Sequence, residues 1–150
     1  MIKIMFVCHG NICRSPMAEF VFRDLAIKRG VGDSFYVSSS ATSTEEIGNS
    51  VYPPARRELL KHGIDPSGKV AVQLERRDYD KYDLFVGMDS ANFRNMHRIF
   101  GTDPKGKIIK LLDLVGGGDV ADPWYTGNFE LTYRDVHRGC EELLNQLLEK

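Results

Sequence analysis

The residues able to do chemistry come early in this chain. An apolar run from Ile2 to Val7 leads directly into Cys8-His9-Gly10-Asn11-Ile12-Cys13-Arg14-Ser15, and Pro16 follows. A thiol and a guanidinium separated by five residues, where a strand gives way to a helix, suit the holding and attack of a phosphate. A loop at a helix N-terminus turns backbone N–H groups into one concavity that favours an anion. Gly10 and Asn11 are residue types that tolerate the left-handed backbone such a nest requires. Arg14 would close the cradle with a planar, two-pronged donor, and the same positive field favours a thiolate at Cys8.

Each residue also has an ordinary structural use. A lone cysteine is most often a small buried hydrophobe, which fits Cys140 on the apolar side of the last helical stretch. Cys8 differs because Arg14, Ser15, a Gly-Asn pair and a helix start all stand at the required spacing. A bare arginine at a helix start would oppose the helix dipole, and a bound anion removes that conflict. Ser15 reads equally well as an N-cap ahead of Pro16.

These residues must be placed by a scaffold, and composition points to one domain covering residues 1–150. The chain has 150 residues, 42% apolar and 27% charged, enough for a single core without disulfides. A formal net charge of -1 gives no general attraction to nucleic acid or membrane, so anion recognition must be local. No apolar stretch is long enough to span a bilayer, and the short N-terminal run lacks the features of a secretory signal. Three cysteines, two of them in the loop, do not suggest a disulfide framework, and the expected compartment is the reducing cytoplasm.

Strand and helix patterns alternate. Ile2 to Val7 reads as a buried parallel strand, and residues 16–29 as a helix with Ala18, Val21, Phe22 and Leu25 on one face, stopped by Gly30. Phe35 to Ser38 is expected as a second strand, Pro54 to His62 as a helix ended by Gly63, and Leu84 to Met88 as a third strand. Asp89 caps a helix reaching Phe100, and Lys107 to Leu112 is a fourth strand. A loop through Gly116-Gly117-Gly118 runs to Phe129, and the last helix sets Val136, Cys140, Leu143, Leu144, Leu147 and Leu148 on one side. The expected fold is three-layer α/β, a four-stranded parallel sheet with helices on both faces and a phosphate-binding loop after strand 1. Ligands of such sheets bind beyond the carboxyl ends of the strands, where residues 8–15 sit.

The octet resembles the signature of the low-molecular-weight protein tyrosine phosphatases. The likeness continues through Pro16-Met17-Ala18-Glu19, Ser39, Ala41-Thr42-Ser43, Ile47-Gly48-Asn49, Gly87-Met88-Asp89 and Asp122-Pro123-Trp124-Tyr125. It implies that Cys8 is the nucleophile and that Arg14 grips the transferred phosphoryl group. Around the phosphate it places His9, Gly10, Asn11, Ile12, Cys13 and Ser15. It further implies that the Ser15 hydroxyl bonds the thiolate, and that Asn11 holds the loop's shape with support from Ser39. Asp122 becomes the general acid, whereas a bare Asp-Pro pair is otherwise usually a turn. Trp124 and Tyr125 offer aromatic surfaces to a substrate ring. Cys13 packs near the loop, and the resemblance adds a reversible bridge to Cys8 under oxidant, which would guard the nucleophile against sulfinic acid.

The implied reaction hydrolyses phosphotyrosine in a protein through a phosphocysteine and releases inorganic phosphate. It needs no metal or cofactor, because the cradle supplies the charge stabilisation; the expected working form is a monomer, bound to neither nucleic acid nor membrane. Several positions depart from the commonest pattern. Thr44-Glu45-Glu46 stands where many members carry an aromatic wall residue, making one side of the mouth acidic. Lys69-Val70-Ala71-Val72-Gln73 occupies a stretch where many have a histidine and an arginine, and His9 puts a titratable group at the rim.

Other readings use the same fold. Arsenate reductases need resolving cysteines in the middle of the chain, and none lies between Cys13 and Cys140. Protein arginine phosphatases carry a threonine where Ile12 stands, and the bulkier apolar side chain favours a flat phenyl ring. A non-catalytic phosphate-binding module would need neither a thiolate nor Asp122.

Overall fold

In the computed structural model, which describes residues 1–149, the strands are β1 (Ile2–Cys8), β2 (Phe35–Ala41), β3 (Leu84–Gly87) and β4 (Ile108–Lys110). They form one parallel sheet in the order β2-β1-β3-β4. The helices are α1 (Arg14–Lys28), α2 (Pro53–Lys61), α3 (Ser90–Phe100), a one-turn α4 (Pro123–Thr126) and α5 (Phe129–Leu148).

The pleat of β1 sorts its side chains between the two layers of helices. Ile4, Phe6 and Cys8 face the larger core, with Phe22 of α1 and Val136, Leu143 and Leu144 of α5. Met5 and Val7 face the smaller one, with Phe85 and with Met96 and Phe100 of α3. Buried on both sides, β1 reads as an unbroken apolar run. Its last residue, Cys8, emerges at the carboxyl edge of the sheet, between Ala41 of β2 and the turn that follows β3.

The smaller core leaves no room above β3. A Cβ on Gly87 would come within 2.8 Å of Met96 Cε and 3.2 Å of Asn92 Cβ, so glycine lets α3 settle onto the strand. That close approach fixes Asp89, the N-cap of α3, over the carboxyl edge. Asp89 Oδ1 accepts from the Asn92 N–H at 2.7 Å, and Asn92 Oδ1 accepts from the Asp89 N–H at 3.2 Å, a reciprocal cap.

Four expectations about the elements change. Strand β2 runs three residues past the expected Ser38, to Ala41, because Ser38, Ser39 and Ser40 pair with Met5, Phe6 and Val7. Strand β4 is only Ile108–Lys110; Leu111 and Leu112 turn into a 3₁₀ segment that packs both side chains inward. Helix α1 starts at Arg14 rather than Pro16, because the loop's last residues already take helical geometry. At the far end of α5, Leu148 lies 41% exposed, beyond the reach of the core.

Candidate active site

The loop from Cys8 to Arg14 is shaped by one left-handed residue. Asn11 has φ of 60° and is the one non-glycine residue with positive φ among those described, while Gly10 does not use that freedom. An asparagine tolerates this conformation when its side chain is anchored, and Asn11 is anchored on three sides. Its Oδ1 accepts from the Val72 N–H at 3.1 Å, and its Nδ2 donates to Ser39 Oγ at 2.9 Å and Ser15 Oγ at 2.8 Å.

Those contacts fix the direction of a buried hydrogen-bond chain. Ser39 Oγ donates to Glu19 Oε1 at 2.6 Å, since an ionised carboxylate only accepts. Ser15 Oγ, already accepting from Asn11, is left with its proton free for Cys8 Sγ 3.0 Å away. The Asn11 and Ser15 N–H groups also aim at that sulfur, at 3.3 and 3.4 Å. Three donors on one sulfur are what a thiolate requires and a thiol does not. Among the described residues, the loop amides of Gly10, Ile12, Cys13 and Arg14 make no hydrogen bond within the protein, leaving them for an anion.

Arg14 is 3% exposed. Its Nη1 donates to Asp89 Oδ2 at 2.7 Å and to the Val120 carbonyl at 3.0 Å, and its Nη2 lies 3.4 Å from Asp122 Oδ2. Burial opposes the guanidinium's charge, yet the Cys8 sulfur and then Asp89 hold its pKa above the ordinary arginine value. Cys13 and Cys140 move the other way as acids. Burial pushes both thiols up, Cys13 being further raised by the neighbouring Cys8. Both therefore stay protonated.

Asp122 reaches this site on a fastened loop. The Val120 N–H donates to the Met88 carbonyl at 2.8 Å, and Asp119 Oδ1 accepts from Lys110 Nζ at 2.9 Å and from the Ser90 N–H at 3.2 Å. Asp122 then caps α4 by accepting from the Trp124 N–H at 3.0 Å through Oδ1, which leaves Oδ2 facing Arg14. The Asp-Pro pair is thus a helix start as well as a site residue. Trp124 packs its ring on Tyr52, centroids 4.9 Å apart.

These groups surround a cavity of about 210 Å³. Cys8, His9, Gly10, Ile12, Cys13 and Arg14 line its floor and one side, with Asp122, Trp124 and Tyr125 on the other. Glu45 and Glu46 complete the mouth. Asn11, Ser15 and Ser39 are almost fully buried behind the loop, so their side chains position the sulfur rather than meet a ligand. Ser15 does not cap α1: the N-cap is Cys13, without a side-chain bond. His9 Nε2 lies 2.7 Å from Glu45 Oε2 and Asn49 Nδ2 donates to Glu46 Oε2 at 2.5 Å, so both acidic side chains are already engaged.

Sequence reasoning assigned Asp89 only a capping role, and it left Val120, Glu19 and Lys69 out of the site. The available signals were the landmarks Gly87-Met88-Asp89 and Pro16-Met17-Ala18-Glu19 and the unusual stretch that begins at Lys69. Because Asp89 both caps α3 and orients Arg14, the two roles can be separated. Asp89→Ser keeps an N-cap acceptor but is too short to reach Arg14. We expect its melting temperature to stay close to that of the unaltered protein while kcat/KM for an aryl phosphate falls about 10²-fold, the usual effect of a misplaced binding group. A fall in melting temperature with unchanged kcat/KM would show that capping is its sole role.

Comparison with known proteins agrees with this geometry. Residues 3–150 match the family described as Low molecular weight phosphotyrosine protein phosphatase. The low molecular weight protein-tyrosine-phosphatase YfkJ of Bacillus subtilis is 40% identical over 147 residues, covering 96% of this chain and 94% of YfkJ. Its crystal structure superposes with a TM-score of 0.95, at 39% identity, over 99% of this chain and 96% of that one. The rat low molecular weight phosphotyrosine protein phosphatase is 36% identical over 156 residues, covering 96% of this chain and 94% of the rat protein. A more distant structure, the YwlE arginine phosphatase with a phosphorylated active-site serine, gives a TM-score of 0.88 at 27% identity, covering 99% of this chain and 97% of that one. With a matching fold and the octet at the end of β1, the chain belongs to the low molecular weight phosphotyrosine protein phosphatase family.

Proposed function

We propose that the protein hydrolyses phosphotyrosine in other proteins to tyrosine and inorganic phosphate, through a phosphocysteine at Cys8. The observation that carries this reading is a sulfur with three hydrogen-bond donors sharing one cavity with Arg14 and Asp122. The loop amides and Arg14 hold the equatorial oxygens, and Cys8 Sγ attacks phosphorus in line with the departing oxygen. Asp122 gives its proton to the tyrosine oxygen as the P–O bond breaks. In the second step the same carboxylate takes a proton from water. The water oxygen bonds to phosphorus, the S–P bond breaks, and the electron pair returns to the sulfur.

Two features of the cavity support a tyrosine substrate. Cys8 is 3% exposed at the floor, so a long flat ring reaches it more readily than a short phosphoserine side chain. Ile12 and Trp124 line the way in and suit the faces of a phenyl ring. The structural likeness to an arginine phosphatase makes phosphoarginine the competitor to test, against the apolar side chain of Ile12. At the mouth, Glu46 is bonded by Asn49 Nδ2 and Glu45 by His9, a fixed acidic wall that favours basic flanking residues. We further propose that the protein acts as a monomer in the cytoplasm and that Cys13 bridges Cys8 reversibly under oxidant. Among the described residues no helix is long and apolar enough to cross a membrane.

A panel of phosphopeptides tests the assignment. Phosphotyrosine peptides should show the highest kcat/KM, and basic flanks should outperform acidic ones by a margin that shrinks as salt is added. Comparable kcat/KM for phosphoserine or phosphoarginine would refute the tyrosine assignment. A preference for acidic flanks would refute the charge argument alone.

A further inference from the structure

Behind the phosphate loop lies a second cavity, of about 340 Å³, that the reaction described above does not use. Its charged lining residues are all cations: Arg56 and Arg57 of α2, and Lys69. Among the described residues, neither arginine has a carboxylate oxygen within 4.0 Å of its nitrogens. Ser50 adds a hydroxyl group, Ser67 lines the cavity with its own proton already given to Asp65, and Val51 and Leu60 add apolar wall. Asp65, whose carboxyl is lowered chiefly by bonds from Ser67 and slightly by Arg56, is not part of the lining. Its Oδ1 accepts from the Ser67 N–H at 3.0 Å and the Ser67 hydroxyl at 2.5 Å. A concavity with two unpaired guanidinium groups, a third cationic residue and no carboxylate in its lining suits a small dianion.

Lys69 joins this cavity to the catalytic loop. Its side chain is 12% exposed and lies 3.8 Å from Glu19 Oε1, and its Nζ donates to the Ser39 carbonyl at 2.8 Å. Glu19 Oε1 in turn accepts from the Ser39 hydroxyl, and from that hydroxyl a hydrogen-bond chain runs through the Asn11 amide and the Ser15 hydroxyl to Cys8 Sγ. One lysine therefore contributes both to the wall of an outer cavity and, through its ammonium, to the back of the nucleophile's support.

We propose that Arg56, Arg57 and Lys69 form a second site for inorganic phosphate, the product of the reaction, through which accumulated product slows the chemical steps. A dianion there shares the Lys69 ammonium with Ser39 and Glu19. It loosens the alignment that ends in the Ser15 hydroxyl and adds negative charge on the sulfur's side of the loop. Negative charge on Cys8 is needed twice, when sulfur attacks and when it departs, so both steps suffer. A phosphate in the catalytic cavity, by contrast, only competes with substrate.

The kinetic pattern distinguishes the two sites. With an aryl phosphate as substrate and ionic strength held constant with sodium chloride, inorganic phosphate should lower kcat as well as raise KM. The fall in kcat at saturating phosphate should be at least about fivefold, the low end of ordinary coupling between sites. In the double variant Arg56→Gln/Arg57→Gln, kcat without phosphate should be unchanged and inhibition should become purely competitive. Amide spectra recorded during a phosphate titration should show a second set of shifts, at residues 67–69, that is absent from the double variant. Purely competitive inhibition of the unaltered protein would overturn the proposal, as would a kcat loss or a second set of shifts that persists in the double variant. Failure here would leave phosphotyrosine hydrolysis itself untouched, because competitive product inhibition requires an active enzyme.

Discussion

Cys8→Ser should abolish turnover of aryl phosphates, by on the order of 10⁶-fold, the scale of loss when a covalent nucleophile leaves a cooperating set. Phosphate or vanadate binding should remain largely intact. The substitution removes the attacking sulfur but leaves Arg14 and the unpaired loop amides in place. A serine hydroxyl at the same point accepts the Asn11 and Ser15 N–H bonds that now reach Cys8 Sγ. Steady-state assays with isothermal titration of phosphate separate the two properties. Substantial residual hydrolysis by Cys8→Ser would sink the covalent mechanism, and loss of phosphate binding would show that the loop had collapsed. Cys140→Ser serves as the control. Cys140 is fully buried in the larger core, where its thiol donates to the Ala18 carbonyl at 3.7 Å and meets no group of the site, so turnover should stay near that of the unaltered enzyme.

The second large effect belongs to Asp122. Its Oδ2 lies 3.4 Å from Arg14 Nη2, with Oδ1 committed to the start of α4, so one oxygen is held at the mouth of the phosphate cradle. As general acid it should contribute roughly 10²- to 10⁴-fold to kcat, and Asp122→Ala should lose that amount. The loss should grow as the leaving group becomes more basic, since a poor leaving group depends most on the donated proton. Asp122→Asn keeps a cap acceptor for the Trp124 N–H and removes only the acid, so it should lose as much as the alanine variant. An equal loss for good and poor leaving groups would assign Asp122 to another role, such as orienting Arg14.

Much of this was legible locally. The apolar run of β1, the Gly-Asn pair and the Arg14-Ser15-Pro16 junction lie within a few residues of one another, and local pattern is what sequence reveals best. The four parallel strands follow from alternation. The length of β2 was not visible, because Ser38, Ser39 and Ser40 are poor strand formers. They pair because Met5, Phe6 and Val7 beside them need partners, and the strand carries Ser39 to the Asn11 amide as a result.

Most of the missed contacts are made across long stretches of the chain. Asp89 meets Arg14 across 75 positions and the Val120 carbonyl meets it across 106. Asp89 in isolation is a good N-cap and Glu19 is one more acid on a helix. Only the closed sheet, with α3 drawn onto β3 by Gly87, turns Asp89 into a clamp on the guanidinium. Lys69 shows the same limit. In sequence it marked a departure from a commoner pattern, and in the fold its ammonium donates to the Ser39 carbonyl beside Glu19.

The central claim is that the phosphoryl group passes through Cys8. The most direct measurement is a rapid alkaline quench of Asp122→Ala during turnover of an aryl phosphate with a good leaving group, followed by peptide mapping of covalent phosphate. That variant lacks the base for the second step, so the intermediate should accumulate, with the phosphate on the sulfur of Cys8. Quenched protein free of covalent phosphate, or phosphate mapped to the neighbouring His9, would contradict the account.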